Sequence, residues 1–287
     1  SAASDVYKRQ GYGPLHPNVM TSLRVAPANH GMGLLEAIPE EAIVARAEGN
    51  AKNTDAIRGK VNRVWDEASK STKLGRFGWK ANQPNVRQQT AGAFNGDMGL
   101  TTSLFTSDTG SPAQQAALSK FPNGGTPEVE EHKLDAVTFY CQTLAVPERR
   151  NMEDALVKKG AELFKQANCS ACHVEEWKTG KHPTISQLSD QVIYPYTDML
   201  LHDMGPELAD GRPDFEANGS EWRTPPLWGI GLNEMVNGRV NFLHDGRAKT
   251  FMEAILWHGG EAEASREVVR KMKASERAAL EAFLKSI

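Results

Sequence analysis

The residues best suited to chemistry in this chain stand together at Cys169-Ser-Ala-Cys172-His173. Two thiols separated by two residues can each add to one vinyl group of a single porphyrin, and the next residue is then held beneath the ring. An imidazole at that position reaches the iron through a ring nitrogen. The spacing therefore predicts one covalent c-type haem, with Cys169 and Cys172 as anchors and His173 as an iron ligand.

Closely spaced cysteines also occur in two other kinds of site. A thioredoxin-like redox pair needs a βαβ context, which the sequence does not indicate. A structural zinc site needs a second close Cys/His pair, and the sequence contains no other Cys-x-x-Cys. The third cysteine, Cys141, falls on the apolar stripe of a predicted helix, where we interpret it as a buried free thiol.

Haem iron takes a sixth ligand or keeps an open face, and the sequence after the motif offers several candidates. His258 is the best placed, because it ends a predicted helix and precedes Gly259 and Gly260, which would let a porphyrin edge approach. A histidine pair would give a low-spin, low-potential haem, whereas an open face would admit a substrate. The other candidates are His182, His202 and His244, with Met199, Met204 and Met235 as weaker ones.

The composition limits the function of the whole chain. Thirty-three Lys and Arg against 36 Asp and Glu give a net charge of −3, without the basic excess of a nucleic-acid binder. No apolar run reaches the roughly 18–20 residues of a membrane span. The 287 residues are 39% hydrophobic, which is enough for a core, and three cysteines exclude a disulfide-stapled scaffold.

Helices joined by long loops are the elements that must position the motif. Gly160, Leu163 and Phe164 on the helix before it, together with Phe283 on the last helix, fit two helices that cross beside a haem. Thr126 and Ser275 are expected caps, and no strand-rich pattern competes. Apolar periodicity and capping signals predict helices at about 39–48, 126–144, 153–168, 250–257 and 275–287.

Longer sequence blocks extend the pattern beyond the haem motif. They include Leu201-His-Asp-Met-Gly205, Trp222-Arg-Thr-Pro-Pro-Leu-Trp228, Leu243-His-Asp-Gly-Arg-Ala248 and His258-Gly-Gly-Glu-Ala262. Through these blocks the chain resembles the bacterial di-haem oxidoreductase family, also labelled thiol oxidoreductase-like, which is related to the di-haem cytochrome c peroxidases. The resemblance implies a mostly α fold of two cytochrome-c-like domains with long loops.

The resemblance also implies how the chain is divided. Residues 11–146 are expected to be the remnant of an N-terminal haem domain, and residues 147–287 a C-terminal c-type cytochrome domain. The family has two haem motifs and this sequence has one, so we expect the first upstream of an incomplete N-terminal domain. Residues 1–10 resemble translated adapter sequence and are interpreted as a non-native scar, with an ordinary tail as the alternative.

The resemblance further implies the roles of several residues. In the relatives a distal ligand follows the histidine of the His-Asp-Gly motif by fourteen residues, which indicates His258 here. The relatives use Met or Tyr at that position, and His would lower the potential. Trp79 and Gln89 match a tryptophan between the haems and a glutamine ten residues later. Asp97 best matches an acid that acts on peroxide in the relatives, although Ala93 stands where the relatives have a proline. The alternative role is core packing for Trp79 and a turn for Asp97.

Other residues are expected around the second haem. Arg223 and Arg247 are candidates to neutralise haem propionates, with surface ion pairs as the alternative. Trp228, with Trp222 and Trp257, is expected to wall the porphyrin or else to pack in the core. In the relatives a calcium ion lies between the domains, partly on backbone carbonyls, so calcium is a further candidate cofactor.

The implied function is a periplasmic oxidoreductase. Its C-terminal haem would relay electrons from a small redox protein or other donor to a peroxide-reactive N-terminal haem. Peroxide or a similar oxidant would be the substrate. The alternative is a periplasmic electron-transfer cytochrome with both irons six-coordinate, and the ligands of the first haem would discriminate the two.

Overall fold

Helices and long irregular segments make up most of this protein, as the sequence predicts. The computed structural model describes residues 16–54, 56–111, 114–116 and 119–287, so the predicted scar at 1–10 lies outside the described part. None of the described helices is long and apolar enough to cross a bilayer. The helices are α1 (Met32–Glu36), α2 (Glu40–Asn50), α3 (Val86–Met98), α4 (Glu131–Thr143), α5 (Ala155–Gln166), α6 (Asn233–Asn237), α7 (Phe251–Leu256), α8 (Glu263–Lys271) and α9 (Ala274–Ser286).

The described strands are short and form two-stranded antiparallel sheets. The sheet that matters for the site pairs His202 with Trp222 and Leu201 with Arg223. This pairing holds the segment around His202 against the segment around Trp222. The pairs are β1 (Arg63–Asp66) with β2 (Ser71–Leu74), β3 (Trp177–Lys178) with β4 (Val192–Ile193), and β5 (Leu201–Asp203) with β6 (Glu221–Arg223).

Two predicted helix starts were wrong. The helix expected from Thr126 begins at Glu131, because the Glu128 carboxylate accepts bonds from the backbone N–H groups of Thr101 and Gly124, both at 3.0 Å. Those bonds fold the residues before Glu131 as a loop. The last helix is capped at Lys273 rather than at Ser275, since the Glu276 carboxylate accepts the Lys273 N–H at 2.7 Å.

The main core joins residues from both halves of the chain. Leu35 and Ile38 from the first half are buried in one cluster with Trp228, Leu280 and Phe283 from the second. Close packing in this core holds α1 and the residue Ile38 after it against α9, the last helix. The domain boundary at residue 147 stays a prediction.

The crossing of α5 and α9 confirms the predicted helix pair. A Cβ atom built on Gly160 would lie 2.0 Å from the backbone oxygen of Ala279 and 2.7 Å from Cβ of Phe283. Only glycine allows the two backbones to come this close. Asp154 caps α5 by accepting the Leu156 N–H at 2.7 Å, so α5 ends with the haem motif in a fixed place.

We expect Gly160→Ala to lower the free energy of unfolding by about 1–3 kcal/mol, because the added methyl group meets rigid backbone. Gly96→Ala in α3 is the matched control, since a Cβ there has nothing within 4 Å. At that site removal of glycine should stabilise the helix by about 0.5–1 kcal/mol. Chemical denaturation of both variants measures the difference, and equal stabilities would contradict a close crossing at Gly160.

Candidate functional site

The haem motif forms one compact turn directly after α5. Asn168 takes a left-handed backbone with φ of 58°, and the chain then enters a short 3-10 helix over Cys169–Ala171. The His173 N–H donates to the Cys169 carbonyl at 2.9 Å, which closes the turn. Arg46 on α2 donates to the Ala171 carbonyl at 2.8 Å and ties the turn to the first half.

His173 is oriented by a backbone carbonyl. Its Nδ1 lies 2.9 Å from the oxygen of Tyr196, a residue that is 1% exposed and has a φ of 54°. A carbonyl can only accept, so Nδ1 carries the proton and the lone pair is on Nε2. The ring of Phe164 lies 6.3 Å from the imidazole and confines it on one side. A histidine held in this way is ready to bind a metal through Nε2.

A backbone carbonyl also orients the imidazole of His258. Its Nδ1 lies 2.8 Å from the carbonyl of Ala254 in α7, and no hydrogen bond within the described residues engages Nε2 of either His258 or His173. Burial, with a smaller contribution from the neighbouring His258, lowers the pKa of His173 to about 4. Burial also lowers the pKa of His258. Two neutral imidazoles, close enough to affect each other, therefore keep their Nε2 lone pairs free.

The thiols of Cys169 and Cys172 are the other two groups that a covalent haem would use. Burial raises the pKa of Cys169 to about 12 and that of Cys172 as well, so both remain protonated and are not poised as thiolates. All four residues are partly buried. Free thiols beside two available imidazoles fit a covalent haem.

A buried cation without a carboxylate partner fits the same group. Arg223 is 5% exposed, and its guanidinium donates to the carbonyls of Gly78 at 2.9 Å and Thr224 at 3.3 Å. Burial lowers its pKa to about 10, although Asp198 nearby opposes this. Within the described ranges Arg223 forms no ion pair, so a propionate would satisfy a charge that the protein leaves unbalanced.

His202, another candidate ligand, is engaged at both ring nitrogens. Nε2 lies 2.8 Å from Oδ2 of Asp198, and Nδ1 lies 2.7 Å from Oε2 of Glu261. Burial opposes its charge, but its hydrogen bonds with Asp198, Cys172 and Glu261 raise the pKa of His202 to about 12. An imidazolium has no lone pair, so His202 cannot serve as the sixth ligand in this arrangement.

The fold also creates a metal-like trio that the sequence did not reveal. Ligand atoms of Cys172, Asp198 and His202 lie within 4.8 Å of one another. A zinc ion would need a thiolate and a neutral imidazole. The pKa values of Cys172 and His202 are both raised, so a zinc ion here would have to displace a proton from each.

Comparison with known proteins agrees with this donor set. A family model described as "Di-haem oxidoreductase, putative peroxidase" matches residues 13–287. The chain belongs to this family. No curated protein matches it significantly. Among solved structures it is similar to hydrazine synthase from Kuenenia stuttgartiensis under xenon, with a TM-score of 0.37, 16% identity and coverage of 96% of this chain and 98% of the other. A TM-score of that size supports no inference about this protein.

Trp79 of the di-haem oxidoreductase lies against the C-terminal half. Its Nε1 donates to the Val25 carbonyl at 2.7 Å, and its own carbonyl accepts the Arg223 N–H at 2.8 Å. The ring meets His244 edge-on with centroids 6.4 Å apart, and His244 stacks on Trp222 at 3.7 Å. The rings of Trp79, His244 and Trp222 therefore form a series of contacts that ends on β6, the strand paired with His202.

The structure keeps Gln89 and Asp97 apart from each other. Both are on α3, and their eight-residue separation corresponds to about 12 Å of helix rise. Gln89 is half-buried, whereas Asp97 is exposed near the end of the helix. Their predicted roles at a peroxide site stay predictions.

Arg247 and Trp228 have partners of their own. Arg247 Nε donates to Asp245 at 2.7 Å, and its guanidinium lies 4.6 Å above the Trp257 ring. Trp228 is buried in the main core, where a Cβ on Gly31 would come within 2.2 Å of its ring. Arg223 is therefore the better placed of the two arginines for a propionate.

Two expectations about neighbouring residues need correction. Gly259 and Gly260 make room for protein rather than for a porphyrin edge, since a Cβ on Gly260 would lie 2.2 Å from the Asp203 oxygen. His182, a candidate ligand, uses Nδ1 to accept the Ile185 N–H at 3.0 Å and points Nε2 towards Glu36 at 3.5 Å.

Sequence reasoning missed a buried cation beside Trp222. Lys80 is 0% exposed, and its ammonium donates to Asp210 Oδ1 at 2.9 Å and to the carbonyls of Arg212 and Asn218 at 2.8 and 2.6 Å. It lies 4.4 Å above the Trp222 ring. Nothing local in the sequence marks these contacts, because they join residues more than 120 positions apart.

Proposed function

We propose that this di-haem oxidoreductase attaches a c-type haem in its C-terminal half and uses it to pass electrons to a peroxide-reactive N-terminal haem site. Cys169 and Cys172 would form the thioether bonds, and His173 and His258 would bind the iron through Nε2. When bound, the group supplies reversible one-electron transfer. Residues 147–287 would then be a c-type cytochrome domain, and residues 11–146 part of the N-terminal haem domain.

One observation carries the proposal. Two neutral imidazoles, each held through Nδ1 by a backbone carbonyl, lie near one another and beside two protonated thiols. Each component is common by itself, but their combination is the donor set that a covalent haem requires. Arg223 adds a buried positive charge for a propionate.

The aromatic contacts supply a candidate route for electrons. Trp79 contacts His244, His244 stacks on Trp222, and Trp222 is paired across the sheet with His202. His202 Nδ1 lies 3.6 Å from the Sγ of Cys172. Ring contacts therefore connect Trp79 to Trp222, and the strand pairing of Trp222 with His202 leads on towards Cys172.

Location and partners follow from the proposed chemistry. Covalent c-type haem attachment in bacteria occurs outside the cytoplasm, so we place the working protein in the periplasm. A small redox protein or another one-electron donor would supply electrons, and peroxide or a similar oxidant would accept them. Calcium remains a candidate second cofactor.

The decisive experiment uses protein made from its full-length gene together with haem-maturation machinery. The reduced holoprotein is mixed with hydrogen peroxide and followed by stopped-flow absorption. We expect haem oxidation at a rate that rises with peroxide concentration. A holoprotein that stays reduced would instead favour the alternative, a periplasmic electron-transfer cytochrome without peroxidase activity.

Replacement of Trp79 by Leu should slow peroxide turnover severalfold while haem content is unchanged, because the aromatic contact with His244 is lost. Trp65→Leu is the control, since Trp65 lies on β1 and is 42% exposed. Steady-state turnover with a chemical electron donor measures both variants. Equal turnover in the two variants would show that Trp79 only packs in the core and does not carry electrons.

A further inference from the structure

His202 has a structural setting that the proposed function does not use. It is 2% exposed, and both ring nitrogens meet carboxylates, Asp198 at 2.8 Å and Glu261 at 2.7 Å. A Cβ on Gly59 would come within 2.5 Å of the imidazole, so the ring is confined from that side as well. We call Asp198, His202 and Glu261 the carboxylate–imidazolium triad.

The two carboxylates come from the two loops that serve the iron ligands. Asp198 is two residues after Tyr196, whose carbonyl orients His173. Glu261 is three residues after His258. His202 on β5 therefore bridges the loop behind one imidazole to the loop that carries the other.

Each arm of the triad is itself fixed. Asp198 Oδ1 accepts the Leu200 N–H at 3.0 Å, and Glu261 accepts the N–H groups of Arg58 at 2.7 Å and Asp203 at 3.1 Å. Asp198 also lies in a strained loop, because Tyr196 and Met199 have φ values of 54° and 65° and are both buried. Non-glycine residues persist in that conformation only where the surroundings over-determine it.

We propose that the carboxylate–imidazolium triad is a positioning device that sets the spacing between the loops of His173 and His258, and so keeps the second imidazole on the iron. This inference rests on the proposed haem function. Within the triad the His202 ring, which offsets one of the two carboxylate charges, lies 3.6 Å from the Sγ of Cys172, next to one attachment point. A positive charge there favours the reduced form of a neighbouring redox group.

The test compares Glu261→Gln with Glu263→Gln in the ferric holoprotein. Glu263 begins α8 only two residues away, pairs with Arg266 at 2.6 Å and is 62% exposed, so it is a matched control. Stopped-flow absorption measures the rate at which cyanide displaces the His258 imidazole. Loss of one bond to a charged group should raise that rate about tenfold in Glu261→Gln and leave Glu263→Gln at the parent value.

Two further variants keep the proposal open to refutation. Asp198→Asn acts from the other loop and should also accelerate displacement; an effect of Glu261→Gln alone would overturn the bridging role. Where Glu261→Gln does not fold, Glu261→Asp retains the charge, and a smaller acceleration is expected; an unchanged rate would count against the triad.

Reduction potential gives a readout that simple packing would not move. His202→Gln should lower the midpoint potential of the holoprotein, and Glu263→Gln should not. Unchanged potential and unchanged cyanide displacement in His202→Gln would overturn the proposal. A parent protein without a six-coordinate low-spin haem would instead refute the proposed function, so the two failures are distinguishable.

Discussion

Replacement of both Cys169 and Cys172 by alanine is expected to abolish covalent haem retention completely. Both thiols are free and are held in one turn immediately before His173. Burial keeps them protonated, and a thiol adds across a vinyl group without loss of its proton to solvent. Denaturing mass spectrometry of protein matured with haem-attachment machinery should show one added haem in the parent chain and none in the double variant.

The remaining cysteine provides the control for this experiment. Cys141 on α4 is half-buried and packs against the main core, away from the haem motif in sequence. Cys141→Ala should therefore retain the covalent haem. Retention of the added mass in the double variant, or a colourless parent protein, would contradict the proposal. Elemental analysis would then test the zinc alternative at Cys172, Asp198 and His202.

Replacement of His258 by Ala should convert a low-spin haem almost entirely to a high-spin, ligand-accessible one. The Ala254 carbonyl fixes His258 so that Nε2 is the free nitrogen, and burial keeps the ring neutral. Removal of that nitrogen takes away one iron ligand, and His202 cannot replace it because both of its ring nitrogens are engaged by carboxylates. Absorption and paramagnetic resonance spectra report the spin state directly.

Two controls define the His258 result. His182→Ala should leave the low-spin spectrum unchanged, because the His182 ring faces Glu36. Added imidazole should restore the low-spin spectrum of His258→Ala by filling the space that the substitution leaves. A parent-like spectrum in His258→Ala without imidazole would remove His258 from the ligand set.

The haem motif itself could be interpreted without a fold. Cys169, Cys172 and His173 act through covalent spacing along a few residues, so their chemistry is local. The same applies to the cap at Thr250, whose hydroxyl accepts the Glu253 N–H at 3.0 Å only three residues along the chain. The close approach at Gly160 was also predictable, because helix packing leaves a glycine where two backbones meet.

Some local signals were outweighed by distant contacts. Thr126 is a suitable cap in isolation, but Glu128 binds the backbone at Thr101 and Gly124 and delays the helix to Glu131. Gly259 and Gly260 indicated room for a ligand, yet that room is filled by the end of β5. In both cases a partner far along the chain decided between conformations that the local residues allow.

By itself the sequence predicted the attachment chemistry and the helical class, and together with the family resemblance it indicated His258 as the leading second ligand. Only the tertiary structure decided what holds those groups. The bond from His173 to Tyr196 spans 23 residues and that from His202 to Glu261 spans 59. The loops that carry these partners have neither helical nor strand periodicity, so their hydrogen bonds arise from how the chain folds and leave no pattern in the sequence.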